Sequence, residues 1–133
     1  EKSALASIVS YAAVSGDPVY SVRLPAAAFQ KALDKAKLPL EEMHLIEINE
    51  AYAAMPLVST RLLANGDEQR IASLRDRTNV NGGAVAIGHP IGASGARILM
   101  TLIYELRRRG GGYGVAAICG GIGQADAMVI KVD

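Results

Sequence analysis

His89 is the side chain of this sequence that is best placed to do chemistry. It lies in the stretch NVNGGAVAIGHPIGASG, residues 79–95, between Gly88 and Pro90. Pro90 keeps the preceding residue out of the α region, and Gly88 allows another group to approach closely. The small residues that follow predict a helix start near Gly92, whose unpaired N–H groups point back towards the imidazole. An imidazole fixed beside a helix N-terminus is suited to holding a developing negative charge, so this stretch is a candidate active site.

Two other interpretations of this stretch stay open at the level of the residues alone. A single histidine in a loop is often only a surface residue, although loops also carry much of protein function. The glycines at 88, 92 and 95 form the pattern G-x-x-x-G-x-x-G, which differs from the dinucleotide fingerprint G-x-G-x-x-G. No Lys-Ser/Thr pair follows as in a P-loop, so the pattern gives little support to nucleotide binding.

Two further polar positions are predicted to lie at strand ends. Asn49-Glu50 follows the run HLIEI, and Glu47 and Asn49 fall on one side of the strand HLIEIN. Cys119 closes the run YGVAAIC. The carboxyl ends of parallel strands meet at one edge of a sheet, so an amide, a thiol and the imidazole of His89 would share one acid/base site. Simpler explanations are an inert buried thiol for Cys119, a helix N-cap for Asn49 and a helix-dipole partner for Glu50.

The elements that must position these residues follow from hydrophobic periodicity and from chain breakers. We predict strands at residues 5–14, 44–49, 84–87, 113–119 and 125–132, and helices at about 25–37, at 51–64 and from Gly92 up to the glycine run 110–112. Pro56 inside the second helix predicts a kink or a later start. Residues 66–78 are polar and are expected to extend that helix in part and to form a surface loop for the rest.

This order, β-α-β-α-β-α-β-β, predicts an α/β domain built on a mixed five-stranded sheet with helices on both faces. The last two strands should pair antiparallel, because only a short turn joins them.

Composition limits the classes of function. The chain has 133 residues, half of them hydrophobic, and a net charge of +1, so we expect no nucleic-acid partner. No apolar run is long enough to span a membrane, no signal peptide is visible and no metal site is indicated. Cys119 is the single cysteine, which excludes an intramolecular disulfide and favours a reducing compartment, so we expect a cytoplasmic protein. The missing initiator methionine suggests a fragment or a processed product.

Three motifs together give the sequence a resemblance to a known family, the thiolases, which are acyl-CoA acyltransferases. They are the tetrapeptide NEAY from Asn49 to Tyr52, the run GGAVAIGHPIGASGARI from Gly82 to Ile98, and CGGIG from Cys119 to Gly123. Their order and spacing match over essentially the whole chain, and the central run is long and specific. The resemblance implies the thiolase C-terminal domain fold, with residues 1–133 as a single domain and the N-terminal thiolase domain absent from this chain.

The resemblance also implies a role for each motif residue. His89 resembles the family histidine that activates a nucleophilic cysteine and helps to hold a thioester oxygen. Asn49 resembles the residue that positions a water in the same oxyanion site, and Gly121 resembles the one whose backbone N–H serves a second oxyanion hole. Cys119 resembles the acid/base cysteine that removes the α-proton of acetyl-CoA, or protonates the leaving carbanion in thiolysis.

Two positions implied at the substrate pocket depart from the family pattern. Tyr52 stands where a phenylalanine is usual, and Ile122, like Ala125, stands where many members have glycine. Both departures leave the acyl-chain preference open. Asparagine at position 49 resembles short-chain members, which favours acetyl-CoA and acetoacetyl-CoA as substrates, with coenzyme A and no bound prosthetic group.

The family's reaction is a reversible Claisen condensation, which needs an acyl group held on a sulfur, a base near the α-carbon and donors for the enolate oxygen. The nucleophilic cysteine belongs to the N-terminal domain of the family, and the only cysteine here occupies the acid/base position. We therefore expect that this chain alone is inactive, and that it needs an N-terminal thiolase polypeptide as a partner in a homo- or hetero-oligomer. Alternatives are a non-catalytic module that binds acyl-CoA or a partner, and a self-contained cysteine hydrolase that uses Cys119 and His89.

Overall fold

A mixed sheet lies at the centre of the computed structural model, which describes residues 3–133. Its four strands are β1 (Ser7–Ser15), β2 (Met43–Ile48), β3 (Gly112–Cys119) and β4 (Gln124–Val132), arranged in the order β1-β4-β3-β2. Strands β2 and β3 are parallel, whereas β4 runs antiparallel to both of its neighbours. The predicted antiparallel pairing of the last two strands is therefore confirmed.

Helices cover both faces of the sheet, as predicted. They are α1 (Leu24–Ala36), α2 (Ala54–Leu63), α3 (Glu68–Asp76), α4 (Ala84–Ile87) and α5 (Ser94–Arg108), with two short 3-10 turns at Pro18–Arg23 and Leu40–Glu42. Helices α1, α2 and α3 bury their apolar side chains on one face, and α5 buries Ile98, Leu102 and Leu106 on the other. Side chains alternate along β3 between the two faces of the sheet: Val115 packs in the core under α1, α2 and α3, and Ala116 packs in the core under α5. None of the helices in the described part of the chain is both long and apolar enough to cross a membrane.

The prediction of a fifth strand at residues 84–87 is wrong, because this run forms the single helical turn α4. The free edge of β2 is already occupied by residues 77–79. The N–H of Ile46 donates to the carbonyl of Arg77, and the N–H of Asn79 donates to the carbonyl of Ile46, both at 2.9 Å. No β2 edge is left for residues 84–87, and a short run with helix-compatible alanines closes instead with the N–H of Gly88 on the carbonyl of Ala84 at 2.8 Å.

Two other boundaries differ from expectation. Helix α2 begins at Ala54, so Pro56 falls in the first turn, where the missing N–H has no intrahelical partner to lose. The later start is thus the correct alternative. Residues 68–76, expected to be a helix extension and a loop, form the separate helix α3, capped by Asp67, whose side chain accepts from the N–H of Arg70 at 2.7 Å. The hydrophobic periodicity of α3 is weak in the sequence, because only Ile71 and Leu74 of this helix are buried.

Candidate active site

The end of β2 and the loop after α4 bring two of the predicted site residues together. Asn49 is fully buried directly after β2, where its backbone N–H donates to the carbonyl of Ala117 in β3 at 2.9 Å. Its side-chain Nδ2 lies 3.3 Å from Nε2 of the half-buried His89. The imidazole therefore reaches the strand end from the loop between α4 and α5, and the expectation that His89 itself follows a strand is wrong.

Ser94, the first residue of α5, holds the other side of the imidazole. Its buried Oγ lies 2.6 Å from Nδ1 of His89 and 3.2 Å from the carbonyl oxygen of Pro90. A hydroxyl has one proton, so if Ser94 donates it to Pro90, Nδ1 must donate to Oγ. In that arrangement neutral His89 is the Nδ1–H tautomer, and its Nε2 carries the free electron pair. Ser94 was not among the predicted site residues; its position at a predicted helix start, five residues after the histidine, was the available signal.

Behind the amide of Asn49 lie the buried carboxyl of Glu47 and the half-buried guanidinium of Arg97. Nη2 of Arg97 donates to Oδ1 of Asn49 at 3.4 Å, and Nη1 of Arg97 lies 3.8 Å from Oε2 of Glu47. Burial raises the pKa of Glu47 to about 7, the positive charge of Arg97 opposes this, and the charge of Glu50 adds to it. Strand alternation places Glu47 and Asn49 on one side of β2, whereas Arg97 lies within the central motif but had no predicted role.

Glu50 forms hydrogen bonds to the segment that leads into the histidine loop. Its carboxylate accepts from the backbone N–H of Val85 in α4 at 2.9 Å and from Nδ2 of Asn79 at 3.3 Å. Asn79 in turn pairs with both the N–H and the carbonyl of Ile48, at 2.8 and 2.9 Å. A Cβ at Gly83 would lie only 2.5 Å from the carboxyl carbon of Glu50, so any larger residue here would force the carboxylate to move.

The simpler explanations for the residues at 49 and 50 do not hold. The N-cap of α2 is Ala53, which makes no side-chain cap bond, so Asn49 does not cap that helix. Glu50 binds the backbone of α4 rather than the first turn of α2. Both side chains are therefore turned towards the histidine loop.

Cys119 and Gly121 lie at the same end of the parallel strand pair. Cys119 closes β3 two residues after Ala117, the backbone partner of Asn49, and its thiol is half-buried, with Sγ 3.7 Å from the carbonyl oxygen of Gly121. The thiol is thus not enclosed in the core. Gly121 has a φ of 98°, which favours glycine at this turn.

Tyr52 and Ile122 line one open groove of about 530 Å³, together with Gly121 and the 3-10 turn at Pro18–Arg23. Their side chains are 65% and 85% exposed. The two residues expected at a substrate pocket are therefore brought together beside the turn that follows Cys119. Among residues 3–133, no group of three or more His, Cys, Asp or Glu side chains could hold a metal ion.

Comparisons with known proteins point to one family. The family model described as "Thiolase, C-terminal domain" matches residues 2–132. The chain is 45% identical over 127 residues to an acetyl-CoA acetyltransferase of Syntrophomonas wolfei, covering 96% of this chain and 31% of that protein. It is 46% identical over 129 residues to an acetyl-CoA acetyltransferase of Pseudomonas aeruginosa, covering 97% and 31%.

Solved structures that resemble this chain also belong to thiolases. The crystal structure of human mitochondrial 3-ketoacyl-CoA thiolase aligns with a TM-score of 0.88 at 44% identity, covering 98% of this chain and 31% of that one. The Bacillus anthracis acetyl-CoA acetyltransferase gives the same TM-score of 0.88 at 42% identity, also over 98% and 31%. The chain therefore spans about a third of the length of the relatives it matches. By motif, fold and match alike, this chain belongs to the thiolase family and corresponds to its C-terminal domain.

Proposed function

We propose that these residues form the C-terminal half of a thiolase active site that catalyses reversible Claisen condensation and thiolysis of short-chain acyl-CoA. The observation that carries the proposal is the imidazole of His89, held at Nδ1 by Ser94 and facing the amide of Asn49 with Nε2. A fixed base with a polar neighbour, at the strand end that also presents Cys119, is suited to acyl transfer.

His89 has two tasks in the proposed reaction. In its neutral form, Nε2 takes the proton of an incoming thiol, which converts the thiol into the nucleophilic thiolate. The imidazolium that results can then donate from Nε2 to the thioester oxygen. Asn49, whose Nδ2 lies beside Nε2, holds a water that donates to the same oxygen.

Cys119 performs the second proton transfer. Its thiolate takes a proton from the α-carbon of acetyl-CoA, and the electron pair of that C–H bond forms the enolate, whose oxygen accepts from the backbone N–H of Gly121. The α-carbon then attacks the acyl carbon on the nucleophilic sulfur, and the bond from that carbon to the sulfur breaks. In thiolysis the same steps run backwards, with Cys119 protonating the carbanion.

The nucleophilic sulfur must come from outside these 133 residues. Cys119 is the only cysteine in the sequence and is assigned to proton transfer. The relatives extend well beyond the matched third, which supports an N-terminal thiolase polypeptide or segment as the source. The large exposed side chains Val85, Ile87 and Ile91, which flank His89, are also consistent with a surface that the rest of the enzyme covers. We expect the assembled enzyme to be a homo- or hetero-oligomer.

The substrate is proposed to be acetyl-CoA or acetoacetyl-CoA. Three of the relatives described above are acetyl-CoA acetyltransferases, and one related human thiolase was crystallised in complex with CoA. The groove of Tyr52 and Ile122 is the proposed place for the acyl side of the substrate. A module that only binds acyl-CoA would not need the oriented pair of imidazole and amide.

The test is thiolysis of acetoacetyl-CoA by the enzyme assembled from this chain and an N-terminal thiolase polypeptide. We expect His89→Ala and Cys119→Ala each to lower kcat by about 10²- to 10⁴-fold, the usual contribution of a general acid or base. His44→Ala is the matched control, because His44 lies at the opposite end of β2 from Asn49 and accepts from the N–H of Tyr113 at 3.3 Å. Retention of most activity by the His89 variant would contradict the proposal.

A further inference from the structure

We infer that Glu47 and Arg97 are positioning residues, which fix the amide of Asn49 so that its Nδ2, and not its Oδ1, faces Nε2 of His89. The inference rests on the proposed function, since it assigns the tautomer in which His89 can act as a base. It concerns two side chains that make no hydrogen bond to the imidazole or to the thiol.

The geometry places these groups in a single row. Glu47 and Asn49 lie two residues apart on one side of β2, and both are buried, with exposures of 3% and 0%. Arg97 crosses from the first turn of α5 and contacts both, at 3.8 Å through Nη1 and 3.4 Å through Nη2. Ser94, one helical turn before Arg97, contacts the imidazole itself. One turn of α5 thus sets both sides of the pair formed by His89 and Asn49.

Stability alone does not explain this pair. Oε2 of Glu47 and Nε of Arg97 are buried without a hydrogen-bond partner among the described residues. A buried ion pair with unsatisfied atoms is often no more stable than apolar side chains of the same volume, because both charges lose their hydration. The contact that apolar side chains could not replace is the donor from Arg97 to Oδ1 of Asn49.

That donor determines which end of the amide meets the imidazole. With Oδ1 bound to Arg97, Nδ2 is the group that faces Nε2, and a donor beside Nε2 favours the tautomer whose proton is on Nδ1. Without Arg97, the amide can rotate and present Oδ1, which would accept from an Nε2–H group. A neutral imidazole with its proton on Nε2 cannot take a proton there, so the base would be lost while the fold stays intact.

The decisive variant is the double substitution Glu47→Gln/Arg97→Met, which removes both buried charges together. If the pair only compensates charge, the double variant keeps its activity. If the pair positions Asn49, kcat for thiolysis in the assembled enzyme falls by about 10- to 100-fold, the usual effect of losing an outer partner of a site residue, while KM stays within about twofold. The matched control is Glu68→Gln/Arg61→Met, which removes the exposed ion pair between α2 and α3 and should leave kcat unchanged.

A second measurement is independent of activity. The ¹⁵N shifts of the two histidines in this chain report their tautomers, and His44 serves as the internal reference. The parent should show His89 protonated at Nδ1 when neutral, and the double variant should show a population protonated at Nε2. If the parent enzyme has no thiolase activity, the proposed function fails, and this spectrum still decides the orientation of the amide.

The inference is overturned if the folded double variant shows the parent tautomer, whatever its kcat, or if its kcat is unchanged. Should the double variant fail to fold, Arg97→Lys decides by the same two readouts. Lysine keeps the charge beside Glu47, but a single ammonium group lacks the fork that contacts two side chains at once. We expect a partial fall in kcat and a mixture of tautomers, and parent values for both would refute the positioning role.

Discussion

At the scale of single residues, the buried carboxyl of Glu47 makes the stability of the chain depend on pH. Burial raises its pKa from 4.5 to about 7, with Arg97 opposing the rise and Glu50 adding to it. The folded chain therefore holds a proton that the unfolded chain releases between these two values. The resulting stabilisation is complete below pH 4.5 and is lost as the pH rises through about 7.

We predict that the free energy of unfolding of the parent chain falls relative to that of Glu47→Gln across this window, by at most about 3 kcal/mol. Glutamine does not titrate, so the difference between the two chains isolates this one group. Urea unfolding at a series of pH values measures it. Glu68→Gln, which alters a carboxyl whose side chain is 77% exposed, should give a difference that stays nearly constant with pH. Parallel curves for the parent and Glu47→Gln would show that Glu47 titrates normally.

How much of the site could be predicted from sequence differs from residue to residue. Asn49 and His89 stand in recognisable motifs, and their meeting at 3.3 Å agrees with the expectation that they share one edge of the sheet. Alternation along β2 also placed Glu47 beside Asn49. The contact of Arg97 with Asn49 could not be predicted, because it depends on how α5 is rotated against a strand that lies almost fifty residues earlier in the chain. The contact of Ser94 is local to the histidine loop, and only its position at a helix start pointed to it.

At the scale of elements, the contact between Glu50 and the short helix α4 fixes the start of the histidine loop. An alanine at position 83 would place its Cβ 2.5 to 2.9 Å from the carboxyl atoms of Glu50. The carboxylate would have to leave the N–H of Val85, now at 2.9 Å, or the amide of Asn79, now at 3.3 Å. Hydrogen bonds to a charged group contribute about 1.5 to 3 kcal/mol each, so the loss should be measurable.

We predict that Gly83→Ala lowers the free energy of unfolding by about 1.5 to 3 kcal/mol and lowers kcat in the assembled enzyme, because the loop that carries His89 loses its attachment. Gly92→Ala is the matched control for stability, since a Cβ there would meet no atom within 4 Å. Urea unfolding of both variants gives the comparison. Equal stability of the two would mean that the contact with Glu50 adjusts without cost.

The wrong strand prediction at residues 84–87 has a physical cause. The run at residues 84–87 has strand-like composition, but four residues carry too little periodicity to separate a strand from a helical turn. The edge of β2 decides between a strand and a helical turn, because residues 77–79 already occupy it through hydrogen bonds to Ile46. The elements β2, β3, β4, α1 and α5 were predictable because each combines a clear hydrophobic pattern with glycine or proline near its ends.

At the scale of the whole molecule, the proposed function assigns acid/base groups to this thiolase C-terminal domain and takes the nucleophile from outside these residues. The half-buried thiol of Cys119 ends β3, and the fixed imidazole of His89 lies in the loop before α5. If Cys119 is the acid/base group, acetyl-CoA should not leave an acetyl group on it. A self-contained cysteine hydrolase would instead carry the acyl group on this same sulfur.

We therefore predict the position of the acetyl group after incubation with acetyl-CoA, read from the intact mass of each polypeptide. The chain alone should stay unmodified, whereas in the complex with an N-terminal thiolase polypeptide the acetyl group should appear on that polypeptide. Cys119→Ala should still allow this acetylation but block condensation, because the thiolate that removes the α-proton is gone, and His89→Ala should slow the acetylation itself. Native mass spectrometry of the same mixtures gives the stoichiometry of the complex. An acetyl group on Cys119 in the isolated chain would assign the nucleophile to this domain and replace the divided active site with a hydrolase of its own.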